Sequence, residues 1–239
     1  MDSEKKNIDI QKFLESVPDN YSIIDQQIDV STQIEYFELA RKVENKSKSQ
    51  DVFNEVVKLY DDRISLNDKK IILINLAAIG DVDSFRTIES FNKSVSNELK
   101  DWAALALQES KVLLENSLLD EQRVIISTGL GGKENLLRYF VVLIKIDESE
   151  FEDYQKKIIS DELDFVIEQK KGQLEEISFE ENFCKGVLLL PLKLELKDFF
   201  QKLIRECNQY GGFLKPNFLL TNVKALTNSE IKNFILKST

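Results

Sequence analysis

The sequence has no histidine among its 239 residues. That removes at one stroke the commonest general base and the commonest metal-ligating side chain. Serine–histidine and cysteine–histidine nucleophile pairs are therefore impossible. Cysteine is nearly as scarce, with Cys184 and Cys207 alone, so a closed zinc site of nitrogen and sulfur ligands cannot be built. Both lie in apolar surroundings and read as buried free thiols, which suits a reducing cytoplasm. A bridge between them is the alternative, although two cysteines are a poor framework for so long a chain. Only three prolines and eight glycines occur, so few long loops are expected. No apolar run approaches the ~18 residues of a membrane span; the longest, Val187–Leu192, suits a buried strand. The chain starts Met1-Asp2-Ser3-Glu4-Lys5-Lys6-Asn7 with no apolar core behind it, so no secretion signal and a cytoplasmic setting are expected.

What is there is an ordinary globular composition, 42% apolar and 31% charged. The formal charge of −10 divides as −8 over residues 1–120 and −2 over 121–239. An acidic N-terminal half repels phosphate backbones and anionic lipid, so nucleic acid and membrane are poor partners for it.

From about Thr32 to Leu119 the apolar residues recur at helical spacing. Leu99, Trp102, Ala103, Ala106, Ser110, Leu113 and Leu114 make one stripe, with Ser94 or Ser96 as candidate cap. Ile72, Leu76 and Ile79 mark a helix that Gly80 ends, and Phe85, Ile88 and Phe91 a short one capped by Asp83. Earlier come Tyr36, Leu39, Ala40 and Val43, then Phe53, Val56, Val57 and Tyr60.

From Leu137 the pattern changes. Leu137–Ile146 and Cys184–Leu194 are apolar and rich in branched side chains, as buried strands are. Gln173–Asn182 is polar enough for an edge strand, and Phe218–Leu226 reads as the last strand. Helical stripes separate them: Phe151, Tyr154, Ile158 and Leu163–Ile167 ended by Gly172, then Leu196, Phe199, Phe200, Leu203, Ile204 and Cys207 closed by Gly211-Gly212. A short helix capped by Asn228 or Ser229 ends the chain. Pro191 sits in the third strand and marks a bulge or the end of its pairing.

Two stretches, "LAAIGDVDSF" (Leu76–Phe85) and "WAALALQES" (Trp102–Ser110), resemble successive HEAT-like repeats of the phycobilisome-lyase type, over roughly residues 65–115. Gln108-Glu109-Ser110 stands where the second copy would carry its Ile-Gly-Asp turn. The resemblance implies a helical module that binds other proteins; the alternative is a plain helical bundle supporting the C-terminal half. The β-α-β-β-α-β order of the second half resembles the ferredoxin-like fold, which implies strands one and three at the sheet centre. The expected fold class is thus α+β. An α-helical HEAT-like domain spans 1–120. A ferredoxin-like antiparallel sheet with helices on one face, preceded by a hairpin arm, spans 121–239. The RNA-recognition motif shares that topology, and Lys185-Gly186 matches its third strand. Val187–Leu190 stand where its stacking aromatics belong, so no base platform is expected.

One stretch invites a ligand. Ser127-Thr128-Gly129-Leu130-Gly131-Gly132-Lys133-Glu134-Asn135 holds three of the eight glycines. It fails the phosphate-loop pattern, because Ser127 replaces the first glycine and Glu134 the hydroxyl residue. The dinucleotide pattern fails at Glu134. Val124–Ile126 and Leu137–Ile146 flank it, so a hairpin turn is the favoured reading. A small anion held by Gly129, Gly131, Gly132 and Lys133 is the alternative. Asp81 with Asp83, Asp61-Asp62, Glu175-Glu176 and Glu180-Glu181 read as caps or solvated faces rather than metal or acid–base sites. The sequence therefore points to a non-enzymatic adaptor or scaffold with a protein partner or self-association, and to no cofactor, metal or catalytic residue. Its runner-up is a sensor or small enzyme for a phosphorylated metabolite at Gly129–Lys133.

Overall fold

The computed structural model describes residues 17–18, 20–43, 49–95, 98–119 and 122–237. The chain start, Met1–Asn7, and the candidate cap Ser96 lie outside them. The structure is α+β, and its described part divides into two compact units between Ser127 and Thr128.

The first unit is mainly helical: α1 (Val30–Val43), α2 (Ser49–Glu55), a 3-10 turn over Val56–Tyr60, α3 (Leu66–Ile79), α4 (Val82–Ser94) and α5 (Lys100–Leu119). Tyr36, Leu73, Leu76, Ala77, Ile88, Trp102, Ala103 and Ala106 fill its core. The alanines of α3 and α5 leave room for backbones to approach, and burial of the surrounding aliphatics drives the packing. Gly80 ends α3 at φ 67, a left-handed C-cap that costs glycine nothing. Trp102 lies in the core against Tyr36 (5.4 Å between centroids), with the Lys70 ammonium 4.2 Å from its ring. Two caps differ from expectation. The cap of α4 is Asp81, whose carboxylate accepts from the Ser84 amide at 2.8 Å, whereas Asp83 lies in the first turn. Ser94 ends α4 instead of starting α5, its hydroxyl donating to Phe91 O.

Strands β1 (Tyr21–Ile23) and β2 (Val124–Ile126) pair in parallel within this unit, Tyr21 opposite Val124 and Ile23 opposite Ile126. Val124–Ile126 is thus not one arm of a hairpin with the long apolar strand. Its partner lies a hundred residues upstream, at a distance along the chain that a reading of neighbouring segments does not reach.

The second unit holds β3 (Gly132–Lys133), β4 (Leu136–Lys145), α6 (Asp153–Gln169), β5 (Gln173–Phe179), β6 (Phe183–Pro191), α7 (Leu196–Asn208), β7 (Leu214–Thr221) and α8 (Asn228–Lys237). The antiparallel sheet has β4 and β6 innermost, β7 beside β4, and β5 outermost beside β6; the short β3 also pairs with β4. Pro191 closes β6, opposite Leu136, and needs no ladder donor beyond it. The last strand begins at Leu214, four residues before the expected Phe218. Pro216 is tolerated because, among the described residues, β7 is an edge strand with no partner on its outer side.

Both faces of the sheet are covered. On one face Phe200 of α7 meets Phe218 of β7 at 5.1 Å, and Phe151, just before α6, meets Phe179 of β5 at 5.7 Å. On the other, Ile231 and Ile235 of α8 join Phe140, Val142, Ile144 and Phe183. The expected arrangement, helices on one face only, is therefore corrected. Phe140, Val142 and Ile144 are as apolar as the residues between them, and α8 is what removes them from water. Its start is fixed by Thr227 and not by Asn228 or Ser229: Thr227 N donates to Glu230 Oε2 at 2.9 Å, and Glu230 N to Thr227 Oγ1 at 3.3 Å. This reciprocal pair is a capping box. Glu230, which also accepts from Lys224, is held down at about 2.

Phe183 is fully buried in the α8-side cluster. Phe183→Ala should cost about 3–5 kcal/mol through lost burial and a residual cavity. Val57→Ala, at a position 75% exposed, should stay within about 0.5 kcal/mol. Urea unfolding followed by far-ultraviolet circular dichroism measures both.

Candidate functional site

The glycine stretch folds as a seat against β7. Leu130 N donates to Asn222 O at 3.0 Å, which brings Gly129 so close that a Cβ there would lie 1.9 Å from Val223 O. Only glycine fits that approach. Gly131 takes φ 64, and its N–H donates to Thr128 O at 3.1 Å. Its carbonyl accepts from Arg138 N at 3.0 Å and from Thr128 Oγ1 at 3.2 Å. Gly132 and Lys133 then pair with Leu137 and Leu136, and Glu134-Asn135 makes the two-residue turn, Glu134 at φ 56. There is a hairpin here, its turn inside the stretch, with β3 as its short arm and Leu136-Leu137 of β4 as the other.

Arg138 ties this segment to the sheet. Its Nη1 donates to Leu130 O at 2.8 Å, while Nε and Nη2 grip the two Glu175 oxygens at 2.5 and 2.8 Å. That bidentate pair holds the Glu175 carboxyl below its ordinary value. Of the four candidate ligand residues, Gly129, Gly131 and Gly132 are buried and Lys133 is exposed. The amides of Leu130 and Gly131 are already given to carbonyls of the chain.

The acidic pairs resolve into caps and ion pairs. Asp61 accepts from Arg63 Nε and Nη2 at 3.0 and 2.8 Å, Glu180 pairs with Lys185 at 2.7 Å, and Glu181 with Lys232 at 3.0 Å. Among the described residues no group of three or more Asp, Glu or Cys side chains could hold a metal ion. The buried Lys145 ends β4 by donating to Ser149 Oγ at 2.5 Å and Glu150 O at 2.8 Å, beside Asp147 at 3.2 Å. Those contacts fasten the 146–151 turn. Cys184 and Cys207 are free and buried, and burial pushes both thiols up to about 12.

A surface of different character lies on the helical unit. An open hollow of about 600 Å³ is lined by Phe53, Tyr60, Asp83, Arg86, Thr87 and Ser90. The sequence pattern puts Val57 and Tyr60 inward on a helical stripe. The structure tightens into a 3-10 turn at Val56, and the changed pitch buries Leu59 and turns Val57 and Tyr60 outward. Tyr60 is 54% exposed, its ring edge-on to the buried Phe91 at 5.4 Å. Arg86 has no ion-pair partner among the described residues. The only sequence signal for this surface was a pair of apolar residues, Val56-Val57, too closely spaced to share one helical face.

Three outcomes are expected. Gly129→Ala should destabilise the fold by about 2–4 kcal/mol, since the loop must leave Val223 to admit a methyl group; thermal and urea unfolding measure it. The thiols should be inert to a chromogenic disulfide reagent at neutral pH and react fully after denaturation. Their folded pKa near 12 exceeds the ordinary value of 9.0, so their contribution is complete below about pH 9 and is lost as pH rises toward 12. Tyr36, buried against Glu109 and raised well above 10.0, acts in the same direction. Unfolding midpoints measured from pH 8 upward should fall accordingly.

No family model and no curated protein matches the chain. Among solved structures, a candidate transposase from Deinococcus radiodurans R1 is similar at 15% identity and a TM-score of 0.38, over 43% of this chain and 90% of that one. A likeness of that degree bears on neither the fold nor the function of this chain.

Proposed function

We propose that the protein acts by binding another protein, as a non-enzymatic adaptor or scaffold in the cytoplasm, with a HEAT-like helical module and a ferredoxin-like docking module. Support for the ferredoxin-like reading comes from the pairing order β7-β4-β6-β5 together with the β-α-β-β-α-β sequence of elements. Support for the HEAT-like reading comes from the packing of α3 and α4 on α5, with alanines at the α3 and α5 contact surfaces. No helix among the described residues is long and apolar enough to cross a membrane.

The observation that carries the reading is the Tyr60–Arg86 hollow. It offers an exposed tyrosine and an arginine with no ion-pair partner among the described residues. Tyrosine and arginine are the residue types most enriched where interface energy concentrates. An open, shallow surface of this kind fits a protein segment better than a small substrate, which needs enclosure. The complementary partner presents an apolar side chain next to a carboxylate. The apolar group would cover Tyr60 while the carboxylate meets Arg86.

Quantitative co-purification with the full chain tests this. Wild type should retain a stoichiometric partner. The variant carrying Tyr60→Ala and Arg86→Glu should lose it, while keeping the wild-type dichroism spectrum. Truncating one such anchor and reversing one such charge typically cost about 2 kcal/mol or more together, roughly thirtyfold in affinity. A stoichiometric partner held equally by both proteins, or none held by wild type, would overturn the reading.

A further inference from the structure

The edge strand β7 is irregular where it passes Ile144. Leu143 pairs with Phe218 and Lys145 with Leu214, so Lys215, Pro216 and Asn217 together oppose the single residue between. This bulge bends the strand edge and re-aims its side chains, as bulges at sheet edges do. Pro216 removes a backbone donor from the same place. Against the bulge lies a cavity of about 330 Å³, bounded by Ile144 of β4, Lys197 and Gln201 of α7, Lys215–Phe218 of β7, and Phe234 and Ile235 of α8.

The lining is amphipathic with one sign of charge. Ile144, Pro216, Phe218, Phe234 and Ile235 make the apolar part. Lys197 and Lys215 supply two ammonium groups, and Gln201 and Asn217 two amides. No carboxylate lines it, in a chain that carries 42 acidic residues against 32 basic ones. Elsewhere in this unit Lys145, Lys185, Lys224 and Lys232 are ion-paired. Lys197 and Lys215 have no ion-pair partner among the described residues. Phe234, which also lines the cavity, is 44% exposed.

We propose that this cavity binds a small amphipathic anion: an apolar alkyl or aryl body carrying one terminal carboxylate or phosphate. The body lies against Phe218, Phe234 and Ile144, where its burial releases water. The head group takes charge-assisted hydrogen bonds from Lys197 and Lys215, and Gln201 and Asn217 complete its shell. The volume admits a ligand at the small end of the range for enclosed sites. The site is built from residues of the sheet unit alone and is independent of the protein-binding reading, which rests on Tyr60 and Arg86.

Isothermal titration of the full chain with octanoate, octyl phosphate and 1-octanol tests it. Both anions should bind at one site, and octanol at least about tenfold more weakly, since one charge-assisted hydrogen bond corresponds to about a tenfold change in affinity. Lys197→Gln with Lys215→Gln should weaken either anion by about tenfold or more and leave octanol unchanged. Phe234→Ala should weaken all three. These positions lie at the surface of the cavity, so the variants should retain the wild-type unfolding midpoint. Stronger binding of octyl phosphate than of octanoate would assign the head group as phosphate, and the reverse as carboxylate; either supports the proposal. Absence of saturable binding by both anions, octanol binding as tightly as they do, or full anion affinity in the double lysine variant would overturn it.

Discussion

Strand β4 is apolar on both faces and hydrogen-bonded along both edges, and the rest of its unit answers that constraint. Leu137 and every residue from Tyr139 to Lys145 are buried. Partners on either side, β6 and β7, satisfy the backbone, since an unpaired amide in such surroundings would cost free energy that no side chain recovers. Each face then needs its own cover. Helices α6 and α7 supply one, with the Phe200–Phe218 and Phe151–Phe179 contacts. The other comes from α8 and from Leu130 of the glycine stretch. A terminal helix that reads as an appendage is thus part of the core.

The glycine stretch takes its meaning from the same strand. Arg138, on the face that α8 covers, holds Leu130 through its side chain and Gly131 through its amide, while its guanidinium is fixed by Glu175 from β5. Three glycines are used for three different purposes: Gly129 for contact with Val223, Gly131 for a left-handed backbone, and Gly132 for the start of the hairpin. Density of glycine and a nearby lysine make such a segment look like a phosphate cradle. What decides its role is where the amides point, and here two of them are consumed by carbonyls.

The surfaces with chemical character lie elsewhere, and both come from local departures from regular structure. On the helical unit, a switch from α to 3-10 pitch at Val56 brings Tyr60 out beside Arg86. On the sheet unit, a bulge against Ile144 opens a cavity with lysines at its mouth. Regular elements bury their apolar side chains, so irregular turns are where apolar and charged groups can share the surface.

The sequence by itself determined the α+β class, the position of nearly every helix and long strand, and the burial of β4 and β6. Those properties follow from apolar periodicity and from branched, aromatic runs such as Leu137–Ile144, which signal burial before any partner is known. It also excluded histidine chemistry outright. Only the tertiary structure decided that Val124–Ile126 pairs with Tyr21–Ile23, that β7 starts before Pro216, that Asp81 and Thr227 are the caps, and that α8 closes the second face. It likewise decided the Tyr60–Arg86 hollow and the cavity beside β7. The physical reason is common to all of these. Propensity and periodicity are local and repeat along the chain. A parallel pair a hundred residues apart, a proline made harmless by an empty edge, or an ammonium left without a carboxylate depends on which distant residues fold against it.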